Sequence, residues 1–201
     1  YLGIDSSERL IELAQQKWCS AFVGVGPDVA SGHGVSRLLS DYETPRFEVQ
    51  DLLTLDYQEN FEAIFCIAVL HHIPSRELRQ EAARRLYAAL KPGGILILTV
   101  WNLWQRKFWG GHLRQIATRF NFWRLNLQKL DFGDLLIPWK GIAAPQVKAY
   151  RYYHAFTPRE LRRLLQSFNF KIEKQYFVKK GEQAGWEGIH KMYNMVVVAR
   201  K

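Results

Sequence analysis

The chain has 201 residues, an apolar fraction of 48% and a net charge of +9. That is long enough, and apolar enough, for one packed domain with room for an inserted segment, which excludes a disordered tail or a disulfide-stapled miniprotein. No apolar run approaches the roughly 20 residues of a membrane span, the first residues are not signal-like, and Cys19 and Cys66 have no metal-type spacing. A cytoplasmic protein without structural zinc is therefore expected.

The first element is a short strand ending on Asp5. Ser6 or Ser7 then caps a helix, with Glu8 in its first turn, where an anion complements the helix dipole. Leu10, Ile11, Ala14 and Trp18 recur at helical spacing and predict its buried stripe. Residues 22–43, rich in Gly, Ser and Asp, read as a strand start followed by a long loop. Arg46 to Asp51 alternates as a second strand, again ending on an acid. The unbroken apolar run Ala63–Leu70 predicts a strand covered on both faces. It runs into His71-His72-Ile73-Pro74.

Ser75 caps the next helix, with Leu78, Ala82, Leu86, Ala89 and Leu90 as its inner stripe. Lys91-Pro92-Gly93-Gly94 stops it, and Ile95–Val100 is another strand. The stretch from Trp101 to His154 holds nine Lys/Arg against two acids, and five of the seven tryptophans. It reads as an insert with a helix near residues 110–120 and a looser portion through Pro145. An anionic partner such as RNA fits this stretch; so does a solvated basic face with its tryptophans turned inward. Thr157-Pro158-Arg159-Glu160 is a full helix start with a capping box. Two final strands, Phe170–Val178 and Met192–Ala199, can pair as an antiparallel hairpin. Strands alternating with helices predict an α/β fold: a Rossmann-like, mostly parallel sheet with helices on both faces and an antiparallel terminal hairpin.

In such a sheet, ligands sit beyond the carboxyl ends of the strands. Three predicted strand ends carry polar groups here: Asp5, Gln50-Asp51 and His71-His72. An acid at a strand tip can accept both vicinal hydroxyls of a ribose. A second acid one strand over can take the exocyclic amine of adenine, with the Leu52 N–H on the ring. His71 and His72 are adjacent and point opposite ways, so they do not chelate one metal. His72 is taken as the one facing the cleft.

Tyr1–Ser7, Phe61–Pro74 and Leu90–Leu98 resemble the second, fourth and fifth strand motifs of class I S-adenosylmethionine-dependent methyltransferases. The resemblance implies that S-adenosylmethionine is the cofactor. Asp5 and Ser6 would lie at the ribose, Gln50, Asp51 and Leu52 at the adenine, and Ile67, Ala68, Val69 and His72 along the methionine portion. A narrower resemblance, carried by Cys66–His72, Asp134–Lys140 and Arg151–Phe156, is to the tRNA wobble-uridine carboxymethyl methyltransferases. It implies methylation of a carboxylate on a modified tRNA uridine, with residues 101–154 as a basic lid. A carboxylate is already anionic and needs a cation to place it, for which Arg151 is the candidate. His154 is a donor, or a base for another acceptor. Trp139, Lys140, Tyr152, Arg114 and Arg119 are candidates for holding the nucleic acid. A small-metabolite methyltransferase and a non-catalytic scaffold of the same fold are the alternatives.

The family's strand and Gly-x-Gly loop belong roughly twenty residues before the ribose acid. Here Asp5 stands almost at the start, and Gly24-x-Gly26 follows it. The expectation is a single domain lacking its first strand and glycine loop, that is, a fragment. Two strand edges would then be left without partners.

Overall fold

The computed structural model describes residues 1–23, 45–113, 131–139, 149–185 and 189–201. They fall into two compact units, Tyr1–Leu55 and Asp56–Lys201. Among the described residues no helix is long and apolar enough to cross a membrane.

In the first unit β1 (Leu2–Asp5) pairs in parallel with β2 (Arg46–Val49), with Asp5 opposite Val49. Between them in sequence runs α1 (Glu8–Val23). Its start is tied twice. The Ser7 N–H donates to Asp5 Oδ1 at 2.7 Å, and Ser7 Oγ accepts from the Leu10 N–H at 3.4 Å. The expected stripe is narrower than its spacing suggests: Ile11 is buried, whereas Leu10 and Trp18 are exposed.

The second unit is a five-stranded sheet in the order β3-β4-β9-β7-β8. Its strands are β3 (Phe61–Ile67), β4 (Leu90–Trp101), β7 (Lys171–Lys179), β8 (Glu182–Ala184) and β9 (Asn194–Arg200). β3 and β4 are parallel; β9 enters antiparallel between β4 and β7. The predicted terminal hairpin is therefore present, with a short extra strand, β8, at its edge. Burial alternates along β4. Leu96, Leu98 and Val100 are fully buried beside Val197 and Ala199 of β9. This face packs with α2 (Arg76–Ala89) and α3 (Pro158–Gln166), through Ala82, Ala83, Leu86, Leu161 and Leu165. The opposite face is more open than an unbroken apolar run predicts: Phe65 is 64% and Ile67 53% exposed. Among the described residues β3 ends its sheet, and β1 pairs with β2 alone.

Lys91–Gly94 does not separate helix from strand. Leu90 already pairs with Phe61, and the ladder shifts register before Ile95 meets Ala63. Gly93 takes φ +78° to make that bulge, and a Cβ on Gly94 would lie 2.8 Å from the Lys91 carbonyl. Only glycine allows both.

The insert differs most from expectation. Its second part is a two-stranded antiparallel ribbon, β5 (Asp134–Trp139) with β6 (Ala149–His154). Pro138 interrupts the β5 pattern, which a two-stranded ribbon tolerates because its outer edge needs no donor. Residues 109–113 begin the expected helix; the rest of it lies outside the described residues.

Candidate functional site

At the tips of β1 and β2 the two acids lie at the same end of a parallel pair. The Gln50 N–H donates to the Asp5 carbonyl at 3.0 Å, which draws the two strand ends together. Asp51 is exposed and caps a short 3-10 turn, Leu52–Thr54, through a 2.9 Å bond from the Leu53 N–H to Oδ1. Gln50 is turned to Glu48 by a 2.8 Å bond from Nε2 to Oε2. Ser6 is exposed and Leu52 half-buried. Each carboxylate spends one oxygen on a local N–H, which fixes its orientation. The acceptor oxygens left over suit the donors of vicinal hydroxyls and an exocyclic amine.

In the second unit the tip of β3 is strained. Ala68 takes φ +57°, unusual for a residue with a Cβ, and its N–H bonds the Thr99 carbonyl and hydroxyl, each at 3.0 Å. The kink turns Val69 outward and starts a 3-10 turn, Leu70–His72. His71 and His72 enter opposite environments, as alternation predicts. His71 is fully buried and His72 exposed. The His71 ring lies nearly parallel to Trp101 (5.3 Å, 27°) and Tyr153 (5.9 Å, 11°), and Trp101 to Tyr153 (5.3 Å, 16°). His72 joins this aromatic cluster 4.9 Å from the Tyr153 ring. Burial, with His72 alongside, pushes the His71 pKa down to about 3. Its Nδ1 accepts from the Trp101 N–H at 3.4 Å, so Nε2 carries the proton; that atom is buried without a partner. His72 is also held below its usual range. Partial desolvation of the ring lowers it first, a bond to the Tyr152 backbone acts upward, and the nearby Arg151 charge acts downward.

Alternation along β6 explains how Arg151 comes near. Arg151 and Tyr153 share the face toward the histidines, and Tyr152 and His154 share the other. That other face meets a buried polar network. Asp134 is 2% exposed and accepts from Tyr152 Oη at 2.6 Å, from His154 Nδ1 at 2.6 Å, and from the Asp131 N–H at 2.7 Å. His154 Nε2 lies 2.7 Å from Glu160 Oε1. Arg79, also buried, donates to the Ile73 carbonyl (3.2 Å), Tyr152 Oη (3.0 Å) and Asp131 Oδ2 (2.6 Å). Burial acts against the Asp134 charge, but the bonds from His154, Tyr152 and Asp131 outweigh it and hold the carboxyl low. Burial likewise acts against the His154 cation, and the bonds to Asp134 and Glu160 raise its pKa. Each ring nitrogen of His154 thus faces a carboxylate oxygen, an arrangement that favours the doubly protonated ring.

The structure thus brings Arg151, Tyr153 and His72 together at the tips of β3 and β4. It commits Tyr152 and His154 to the network behind them, so His154 has no ring nitrogen open to an acceptor and serves to seat the ribbon. Ile67, Ala68 and Val69 form the β3 tip; Asp5, Ser6, Gln50, Asp51 and Leu52 lie in the first unit. Trp139 ends β5, and Lys140, Arg114 and Arg119 lie outside the described residues. Sequence reasoning missed Arg79, Asp134 and Trp101. Arg79 lies off the predicted inner stripe of its helix, and its only signal is the pair of acids, Asp131 and Asp134, inside a basic stretch.

Comparison with known proteins gives one consistent pattern. The family described as "Methyltransferase domain" matches residues 2–175. A "tRNA (carboxymethyluridine(34)-5-O)-methyltransferase" of Arabidopsis thaliana is 36% identical over 78 residues, 38% of this chain and 19% of that protein. A mouse protein named "Probable tRNA methyltransferase 9B" is 26% identical over 139 residues, 69% of this chain and 21% of that protein. The chain spans about a fifth of the length of these curated relatives. A solved SAM-dependent methyltransferase from Methanosarcina mazei aligns over 100% of this chain and 81% of its own, with TM-score 0.64 and 19% identity, which establishes the Rossmann-like fold.

Proposed function

The chain belongs to the methyltransferase domain family, and we propose that it carries a methyl group from S-adenosylmethionine to a carboxylate on a modified uridine of tRNA. The observation that carries this reading is the pairing of a cation with aromatic faces at the strand tips. Tyr153 of β6 stands against His71, His72 and Trp101, and the charge of Arg151, two residues before it on the same strand, acts on His72. The Arabidopsis relative, named for carboxymethyluridine, supports the acceptor class.

S-adenosylmethionine supplies a methyl group already activated by its sulfonium. The chain's own residues then bind, orient and exclude water. Asp5 takes the ribose hydroxyls, and Asp51 and the Leu52 N–H take the adenine edge. A carboxylate acceptor needs no general base at neutral pH. His71, buried with a strongly lowered pKa, and His154, with both nitrogens occupied, are not placed to act as one. Arg151 orients the acceptor's negative charge, and the aromatic cluster offers a face to the base and keeps water away.

The test is methyl transfer itself. Incubation with S-adenosylmethionine and tRNA from cells lacking the activity should leave a nucleoside heavier by one methyl group, and mild alkali should remove the gain, as it does for an ester. A methyl group stable to alkali would overturn the carboxylate assignment. Transfer to small metabolites but not to tRNA would overturn the acceptor.

A further inference from the structure

The residues that follow β4 build a second aromatic surface, continuous with Trp101 of the acceptor cluster. Asn102, 2% exposed, fastens it. Its N–H donates to the Tyr193 carbonyl at 2.8 Å, and its Nδ2 to the carbonyls of Ile189 (2.6 Å) and Met192 (2.9 Å). The Trp104 carbonyl receives Trp109 Nε1 at 3.1 Å and lies 3.1 Å from His190 Nδ1. Trp104 stacks on His112 at 4.4 Å and 5°. Between Trp104, Trp109, His112 and His190 opens a cavity of about 310 Å³, large enough for one nucleobase. A second hollow of about 220 Å³ lies along Trp101, Lys107 and Tyr193.

Two features mark this as a surface built for an anionic, base-bearing strand. The large aromatics on it are left out in solvent: Trp101, Trp109 and Tyr193 are each more than 40% exposed. The two stretches that build it, residues 101–113 and 189–193, carry Arg106, Lys107 and Lys191 and no acid. Lys107 Nζ stands 4.8 Å from the Phe108 ring and 5.8 Å from Tyr193, and Lys179 Nζ is 5.1 Å from Tyr193. Aromatic platforms interleaved with cations are the arrangement that holds unpaired nucleotides: the rings stack bases and the cations meet phosphates. A face for an apolar protein partner has no need of lysines and arginine among its rings.

We propose that this surface is a track for single-stranded RNA, with the Trp104–Trp109 cavity stacking a base that flanks the acceptor nucleoside and Arg106, Lys107 and Lys191 meeting the phosphates. The proposal rests on RNA as the acceptor, and the experiment separates the two. Fluorescence anisotropy of a labelled short oligouridine would be followed for wild type, Trp109→Ala, Trp109→Phe and Lys107→Glu across a salt series, with duplex RNA as competitor. Melting curves and S-adenosylmethionine calorimetry would be run on each variant. Trp109→Ala is expected to weaken the single strand about five-fold or more, the loss of one stacked base, while Trp109→Phe retains most of the affinity. Lys107→Glu should flatten the logarithmic salt slope by about 0.7 or more, one phosphate contact. Duplex should compete poorly, and cofactor affinity should hold. Oligouridine binding unchanged in both Trp109→Ala and Lys107→Glu would overturn the track, as would equal affinity for duplex or a Trp109→Ala defect confined to binding a protein. If the track behaves as described but tRNA gains no methyl group, the acceptor assignment fails alone; methylated tRNA with indifferent oligouridine binding is the reverse case.

Discussion

Replacing Asp134 by Asn tests the seating of the ribbon. The carboxylate is 2% exposed, accepts three hydrogen bonds and lies 3.9 Å from Arg79 Nη1. Asn keeps the shape but removes the charge that compensates His154 and Arg79, both buried. The remaining acids, Asp131 and Glu160, are 41% and 39% exposed and screened by water. Removing one partner from a buried charged cluster costs about 3–5 kcal/mol. For a chain of this size each kcal/mol moves the melting temperature by roughly 2–4 °C, so a fall of roughly 6–20 °C follows. Urea titration and thermal melts of Asp134→Asn, against the exposed control Asp56→Asn, measure it. The effect should be non-additive with His154→Gln, by about 0.5–3 kcal/mol, because the two side chains share a bond. A loss below about 1 kcal/mol, or simple additivity, would refute the claim that this network seats the ribbon.

Four further outcomes follow from the same geometry. His154 has its folded pKa raised, so its contribution is fully present below the unfolded value of about 6.5 and is lost as pH rises through the folded value; stability should fall across that window in wild type and not in His154→Gln. Asp134, held low, contributes above its unfolded value of about 3.9 and loses that contribution as pH falls through the depressed value, so an acid-side fall in stability should be missing from Asp134→Asn. His71, at about 3, should show no protonation by ¹⁵N NMR between neutral pH and mild acid, with the proton on Nε2 throughout. Arg151→Ala should raise the acceptor KM about ten-fold or more, the scale of a charge-assisted bond, while leaving S-adenosylmethionine affinity in place; Lys at 151 should restore part of it.

What the sequence disclosed divides along a physical line. Local signals were readable: the Thr157 capping box, the apolar strand Ile95–Val100, and the opposite facing of His71 and His72. These depend on neighbours within a few residues. The β5–β6 ribbon was not readable, because Pro138 breaks its pattern and its pairing is non-local. Glu160 shows the limit most clearly. As a capping-box acid it was legible, and Oε2 does take the Thr157 N–H at 3.3 Å. Its other oxygen holds His154, a contact no spacing rule announces. His154 therefore read as an open donor although its environment makes it an anchor. Arg79 was hidden for the same reason, since its burial depends on acids 52 and 55 positions downstream, at Asp131 and Asp134.

The most direct test of the whole account is calorimetric titration of S-adenosylmethionine into the protein and into Asp5→Ala and Asp51→Ala. Wild type should bind, and each substitution should weaken binding about ten-fold or more, the loss of a charge-assisted hydrogen bond, with melting lowered by no more than the loss of one cap, about 0.5–2 kcal/mol. Binding indifferent to both acids, or no binding at all by the wild-type protein, would contradict it.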